Sequence, residues 1–194
     1  MKKVIFITHA NVQIDPAVPV PDWGLSVVGR ERHKIFNSNK VISQVTAIYC
    51  SEEQKAIDGA SILSEFLGID FSKVHELHEN DRSATGYLEP DEFQSVADRF
   101  FENPVESIRG WERAIDAQTR IVDCINRILD KDNSSGDIAV VAHGGVGALL
   151  LCQLAGSEIT RKLDQPDNGG GNYFVFDSAT LNLTQHWKPI DQSV

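Results

Sequence analysis

The chain has 194 residues, with 18 Lys plus Arg against 28 Asp plus Glu, a formal net charge of −10 with histidine neutral. Hydrophobic residues make up 41% and charged residues 24%, ordinary globular usage that excludes disordered and fibrous classes. The acidic balance argues against nucleic acid or an anionic membrane surface as partner. No apolar run reaches the ~20 residues of a membrane span, and the longest, about Val146–Leu154, is broken by Gln153. At ~100–200 residues per domain, one domain over 1–194 is expected. Cys50, Cys124 and Cys152 are odd in number and lack CxxC spacing, which argues against a disulfide framework. The apolar stretch after Lys2-Lys3 is too short for a signal peptide, so a cytoplasmic location is the expectation.

Taken in chain order, short apolar runs alternate with helical patterns, the signature of an α/β sheet with crossover helices. Val4–Ile7 is a continuous apolar run and predicts a strand buried on both faces. Pro16, Pro19 and Pro21 stiffen the connection after it, and Ser26 reads as the N-cap of a polar helix to about Asn37. Ala47–Cys50 predicts a second strand, with Ser51 capping a helix from about Glu53 to Leu67 and Gly68 at its C-cap. A short strand is expected over Lys73–Leu77. Pro90 opens another helix carrying Phe93, Val96, Ala97, Phe100 and Phe101, which stops near Asn103-Pro104. Trp111 to about Leu129 predicts the longest helix, with Ile115, Ile121, Val122, Ile125 and Leu129 facing inward. After a loop over Asn133–Asp137, Ile138–Ala142 predicts a buried strand and Val146–Leu154 a buried helix. Tyr173–Phe176 and Leu181–Trp187 close the chain as a hairpin. The expected architecture is a three-layer α/β/α sandwich with a mostly parallel central sheet, and residues 80–110 form a lid-like excursion.

Two strands in this pattern deliver a histidine at their carboxyl ends: Val4–Ile7 runs into Thr8-His9-Ala10, and Ile138–Ala142 runs into His143-Gly144-Gly145. Open parallel sheets bind ligands outside the carboxyl ends of their strands. Gly144 and Gly145 let backbone amides approach an anion at the start of the next helix, where the dipole favours negative charge. A third strand end, after Cys50, leads to Ser51 and Lys55. His33, His75, His78 and His186 have no paired context and read as surface or structural, and no cluster has zinc-ligand spacing, so no metal and no cofactor is implied.

These residues resemble the histidine phosphatase superfamily, the phosphoglycerate mutase-like fold. The family's Arg-His-Gly opening stands here as Thr8-His9-Ala10, and its Leu-Ser/Thr-x-x-Gly motif as Leu25-Ser26-Val27-Val28-Gly29. The Ser-Pro-x-x-Arg-Ala segment stands as Ser51-Glu52-Glu53-Gln54-Lys55-Ala56, and the Leu-x-Glu segment as Leu77-His78-Glu79. His143-Gly144-Gly145 keeps the late His-Gly-Gly motif, and Asn172 precedes a closing strand as in the family. The departures are Thr8 and Lys55 in place of arginines, Ala10 in place of glycine, and Asp15 where the family has asparagine and phosphate should sit. Lysine is a point charge that cannot copy the forked contact of arginine to phosphate.

The resemblance implies a metal-independent phosphohydrolase acting on a small phosphorylated metabolite. His9 is then the nucleophile that forms a phosphohistidine, His143 holds the phosphoryl oxygens, and Glu79 protonates the leaving oxygen and later activates water. Lys55, Arg82 and Gly144 complete the phosphate site, Arg82 by proximity to Glu79 and in place of the missing cation. Trp23 and Tyr87 are expected to face substrate, while Phe93, Phe100 and Phe101 read as core packing. Two other readings stand beside this one: a mutase-type phosphotransferase, and a phosphate-ligand binding or regulatory protein with weak or lost catalysis. Homodimerisation is left open by the apolar helices.

Overall fold

The computed structural model describes residues 2–192. Its six strands form one sheet in the order β3-β2-β4-β1-β5-β6. These are β1 (Lys3–Thr8), β2 (Val45–Cys50), β3 (Phe71–Lys73), β4 (Asp137–Ala142), β5 (Asn172–Asp177) and β6 (Leu183–Pro189). β3, β2, β4 and β1 pair in parallel, while β5 and β6 join antiparallel at one edge. The sheet is therefore mixed and mostly parallel.

The central strands are continuously apolar over Val4–Ile7 of β1 and Ile138–Ala142 of β4 because both faces are covered. Ile5 and Ile7 of β1 join Ala139 and Val141 of β4 in one core, packed with α1 (Val27–Phe36) and α2 (Gln54–Leu67). Val4, Phe6, Ile138, Val140 and Ala142 point the other way, into a second core with α4 (Ala114–Lys131) and α5 (Gly144–Leu154). The period-2 geometry of a strand sends alternate side chains to the two layers, which gives the expected three-layer arrangement. Residues 80–110 carry α3 (Pro90–Glu102), whose Val96, Phe100 and Phe101 pack with Trp111, Ala114 and Leu149 in a third cluster.

Several expectations change at the element ends. Ser51 does not cap α2; Glu53 occupies the N-cap without a side-chain bond, and Ser51 Oγ instead faces His143. The expected strand Lys73–Leu77 lies earlier, at Phe71–Lys73, and His75–Leu77 form a 3-10 turn. Trp111 precedes α4 rather than opening it, and Ile115 is exposed rather than inward. Only one stripe of that amphipathic helix can meet the sheet, and Ala114, Ala117 and Ile121 take it. No helix among the described residues is long and apolar enough to cross a membrane.

Two contacts tie α1 to the segment after β1. Ser26 accepts the Gly29 amide and caps the helix, while its own amide and hydroxyl both donate to Asn11 O. Arg32, buried on the same helix, donates to Asn11 Oδ1 at 2.9 Å, to the carbonyls of Asn168 and Gly171, and to Asp191. Gly29 is the point of closest approach: a Cβ there would lie 2.1 Å from Asn11 O. Gly29→Ala is therefore expected to force α1 away from this loop and destabilise the chain by about 1–3 kcal/mol, as overpacking does. Urea denaturation of the variant checks it.

Candidate active site

The β1–β4 register puts Thr8 opposite Ala142, so the next residues, His9 and His143, emerge side by side. The His9 amide extends the ladder by donating to Ala142 O at 3.1 Å, and the two imidazoles sit edge to face with centroids 5.3 Å apart. His9 Nδ1 lies 3.0 Å from Ala10 O. A carbonyl can only accept, so Nδ1 carries the proton and Nε2 keeps its lone pair. The Ala10 amide in turn donates to His33 Nε2 at 3.2 Å. Of the two expectations for His33, surface or structural, the second holds: it is buried behind the candidate nucleophile, and Gly59 makes room for it, since a Cβ there would lie 2.8 Å from its ring.

His143 is fully buried, with Nε2 2.8 Å from Ser51 Oγ and 3.5 Å from Glu53 Oε1. Its Nδ1 has no hydrogen-bond partner. Burial strips both site imidazoles of water and disfavours the cation. It lowers His9 to about 3, with the charge of Lys55 adding to the effect, and it lowers His143 to about 3 despite Glu53 and Glu79 nearby. Both rings are neutral at physiological pH.

Glu79 is held by the start of α5. Its carboxylate accepts from Gly145 N and Val146 N, both at 3.0 Å, and from the Asn80 amide at 3.1 Å. The helix N-terminus is an anion site, and here the anion is the protein's own carboxylate. The amide of Gly145, expected to meet an external anion, is engaged by Glu79.

Lys55 is not a surface lysine. Its Nζ is buried, 2.5 Å from Glu53 Oε2 and 2.9 Å from Val20 O. Glu53, which the sequence reading passed over, bridges three groups: Lys55, His143 and the Glu79 amide at 2.8 Å. Burial alone would raise its carboxyl, but His143, Lys55 and the Glu79 amide outweigh that and hold it well below the usual range. Its only signal in the sequence was its place two residues before Lys55.

A cleft of about 210 Å³ opens above His9, and Glu79, Arg82, Gly144 and Gln165 line it. Phe93, Phe100, Phe101 and Trp111 form one wall, so these aromatics are packed core and cleft lining at once. The Arg82 guanidinium lies over the rings of Phe93 and Trp111, 5.0 Å and 5.7 Å from their centroids. Arg161 and Asp164 also reach the cleft, and burial raises the Asp164 carboxyl against the opposing pull of the Gln165 amide and Arg161. Trp23 and Tyr87, expected to face substrate, pack on each other at 5.7 Å and do not line this cleft. Asp15 is exposed and bonds the Ala17 amide, outside the cleft. Among the described residues no group of three or more His, Cys, Asp or Glu is placed to hold a metal ion.

The sequence model of the histidine phosphatase superfamily (branch 1) matches residues 6–187, and the chain belongs to that superfamily. No curated protein matches it by sequence. Among solved structures it is similar to Bacillus stearothermophilus YhfR, with a TM-score of 0.79 at 18% identity over 95% of each chain. It is also similar to a mycobacterial glucosyl-3-phosphoglycerate phosphatase, with a TM-score of 0.77 at 17% identity over 100% of each chain. The alpha-ribazole phosphatase from Shigella flexneri gives 0.72 at 17%, over 99% of this chain and 98% of that one. At these identities the likeness establishes the fold.

Three histidines, His33 and His143 buried and His9 half-buried at the floor of the cleft, set an acid limit on stability. His9, His33 and His143 sit at about 3, 4 and 3 in the folded chain against 6.5 when free. Below pH 6.5 the unfolded chain binds protons that the folded chain refuses, so stability is full above that pH and falls as pH drops toward 4. Each histidine in this window contributes a slope of about 1.4 kcal/mol per pH unit. The urea midpoint is expected to fall steadily from pH 7 to pH 5, and His33→Gln, which keeps an acceptor for the Ala10 amide, to fall less steeply.

Proposed function

We infer that the chain is a phosphohydrolase that removes phosphate from a small phosphomonoester through a phosphohistidine at His9. The observation that carries this reading is the paired neutral histidines at the ends of adjacent parallel strands, one with a free Nε2 lone pair and the other with a buried nitrogen that has no partner. Two of the similar structures carry phosphatase names, which supports the same reaction class.

In this reading Glu79 enters the first step as the carboxylic acid, its proton on Oε2, which accepts only the Gly145 amide. His9 Nε2 attacks phosphorus in line, the P–O ester bond breaks, and the leaving oxygen takes that proton, leaving the carboxylate. Glu79 then accepts a proton from water, whose oxygen displaces His9 and releases inorganic phosphate. Microscopic reversibility lets one carboxyl serve both half-reactions. His143 stabilises the charge that spreads over the equatorial oxygens. Arg82 supplies the cation, held in place by aromatic faces rather than by a carboxylate that would neutralise it. Lys55 is paired with Glu53 and acts through the field at His9 rather than as a contact. A binding protein without fast turnover is the second reading, favoured by that internal neutralisation of Lys55.

Hydrolysis of para-nitrophenyl phosphate, with a base-stable and acid-labile phosphoenzyme on rapid quench, is the expected result. His9→Ala should reduce turnover to background and abolish the phosphoenzyme; an unchanged rate would sink the reading. Binding of phosphate with neither turnover nor phosphoenzyme would favour the second reading. Arg82→Ala is expected to lower kcat/KM by roughly ten- to a hundredfold, the scale of one hydrogen bond to a charged group, with partial recovery in Arg82→Lys.

A further inference from the structure

His143 is fully buried after the end of β4, and its two ring nitrogens have unlike surroundings. Nε2 lies 2.8 Å from Ser51 Oγ, a contact that a reversed ring could not make because it would put a carbon there. Ser51 Oγ is fully buried as well and accepts the Glu53 amide at 3.2 Å. Among the described residues the hydroxyl's own proton has one acceptor within reach, His143 Nε2. The hydroxyl therefore donates to Nε2, and the ring proton sits on Nδ1, the nitrogen with no partner.

Glu53 faces the same nitrogen. Its Oε1 is 3.5 Å from Nε2, an ion-pair distance rather than a hydrogen bond. The carboxylate is held there, since Oε1 accepts the Glu79 amide at 2.8 Å and Oε2 pairs with Lys55. A lone pair fixed beside a carboxylate is a place prepared for a proton. The other charged or titratable groups acting on His143 are Lys55, which opposes that proton, Glu79, whose carboxyl is engaged by the α5 amides, and His9. Among the described residues His9 has no carboxylate at ion-pair distance, and its Nδ1 proton is engaged by Ala10 O.

We propose that Glu53 is a positioning residue that prepares His143 to take up a proton when a phosphoryl dianion arrives. Nδ1–H donates to the anion, a proton from solution binds Nε2, and the new N–H faces Glu53 Oε1 as its countercharge. No other bond changes. The free ring stays neutral because burial disfavours the cation, and the cation forms only when an anion is there to balance it. Its catalytic meaning rests on the phosphohydrolase reading above, in which the same cation stabilises the charge that spreads over the transferring group.

Sulfate is the probe, because it is a dianion throughout the neutral range and any proton taken up with it must bind the protein. In wild type its affinity is expected to rise about tenfold per pH unit as pH falls from about 8 to about 6, the linkage of one proton. Nitrogen-15 spectra of the imidazoles should show His143 passing from one proton on Nδ1 to protons on both nitrogens as sulfate binds, with His143→Gln assigning its signals. In Glu53→Gln, which keeps an acceptor for the Glu79 amide, His143 Nε2 should stay bare and the affinity slope flatten to roughly threefold per pH unit or less. Glu53→Gln/Lys55→Met removes the buried pair together and should show the same loss without leaving Lys55 unpaired. With para-nitrophenyl phosphate, Glu53→Gln should lower kcat roughly ten- to a hundredfold, with a smaller change in KM. A wild-type His143 that stays singly protonated with sulfate, sulfate that does not bind, or variants whose slope and spectra match wild type would overturn the proposal. Absence of turnover and of a phosphoenzyme rejects the phosphohydrolase reading by itself; the sulfate titration needs neither and still decides the role of Glu53.

Discussion

The in-register parallel pairing of β1 with β4 is the constraint from which the rest of the site follows. Both strands are buried on both faces, so their backbones have no partners except each other and their sheet neighbours. That requirement brings Thr8 level with Ala142 and leaves His9 and His143 projecting together past the sheet. Neither ring could be delivered so reproducibly from a loop. The cost of the placement is desolvation: both imidazoles are pushed to about 3 and stay neutral. For a nucleophile this is an advantage, because a lone pair is always present.

Neutral histidines leave little positive charge at the strand ends, and the rest of the site is arranged around that shortage. The α5 N-terminus holds Glu79, Lys55 is balanced by Glu53, and Arg82 is steadied by Phe93 and Trp111 rather than by an acid. A net charge of −10 therefore coexists with a cleft that offers mainly dipoles and one cation with no ion-pair partner among the described residues. Most acidic residues are exposed or half-buried, in loops as well as on helices, where water and salt screen them. The charge count bears on how strongly the cleft holds an anion, not on whether it can hold one.

The sequence showed the strands well, since continuous apolar runs such as Val4–Ile7 and Ile138–Ala142 have few other uses in a chain of this composition. Ser26, Gly68 and Pro90 marked helix ends through local hydrogen bonding and backbone preference, which act over three or four residues. His9, His143, Glu79 and Gly144 were singled out by strand ends and motif order and Arg82 by proximity to Glu79, and the fold brings His9, Glu79, Arg82 and Gly144 to one cleft, with His143 beside His9. Glu53 was not: it matters through partners distant in sequence, and a glutamate in a helix start carries no local mark. His33, read only as surface or structural, is structural, and the sequence could not choose because its burial depends on Gly59 rather than on any neighbour in the chain. Trp23 and Tyr87 were placed in the cleft by their chemistry alone, but their rings found each other.

By itself, then, the sequence determined the layered α/β/α architecture, the two histidines at strand ends and the superfamily they point to. All of these rest on periodicity and short-range order, which are written along the chain. Only the tertiary structure decided the charge state and use of each group: that Glu79 caps α5, that Lys55 is neutralised, that Glu53 stands beside His143, and that the aromatic wall is also core. Those outcomes depend on which side chains share a dehydrated space, and desolvation and hydrogen bonding there are set by three-dimensional neighbours, not by position in the chain.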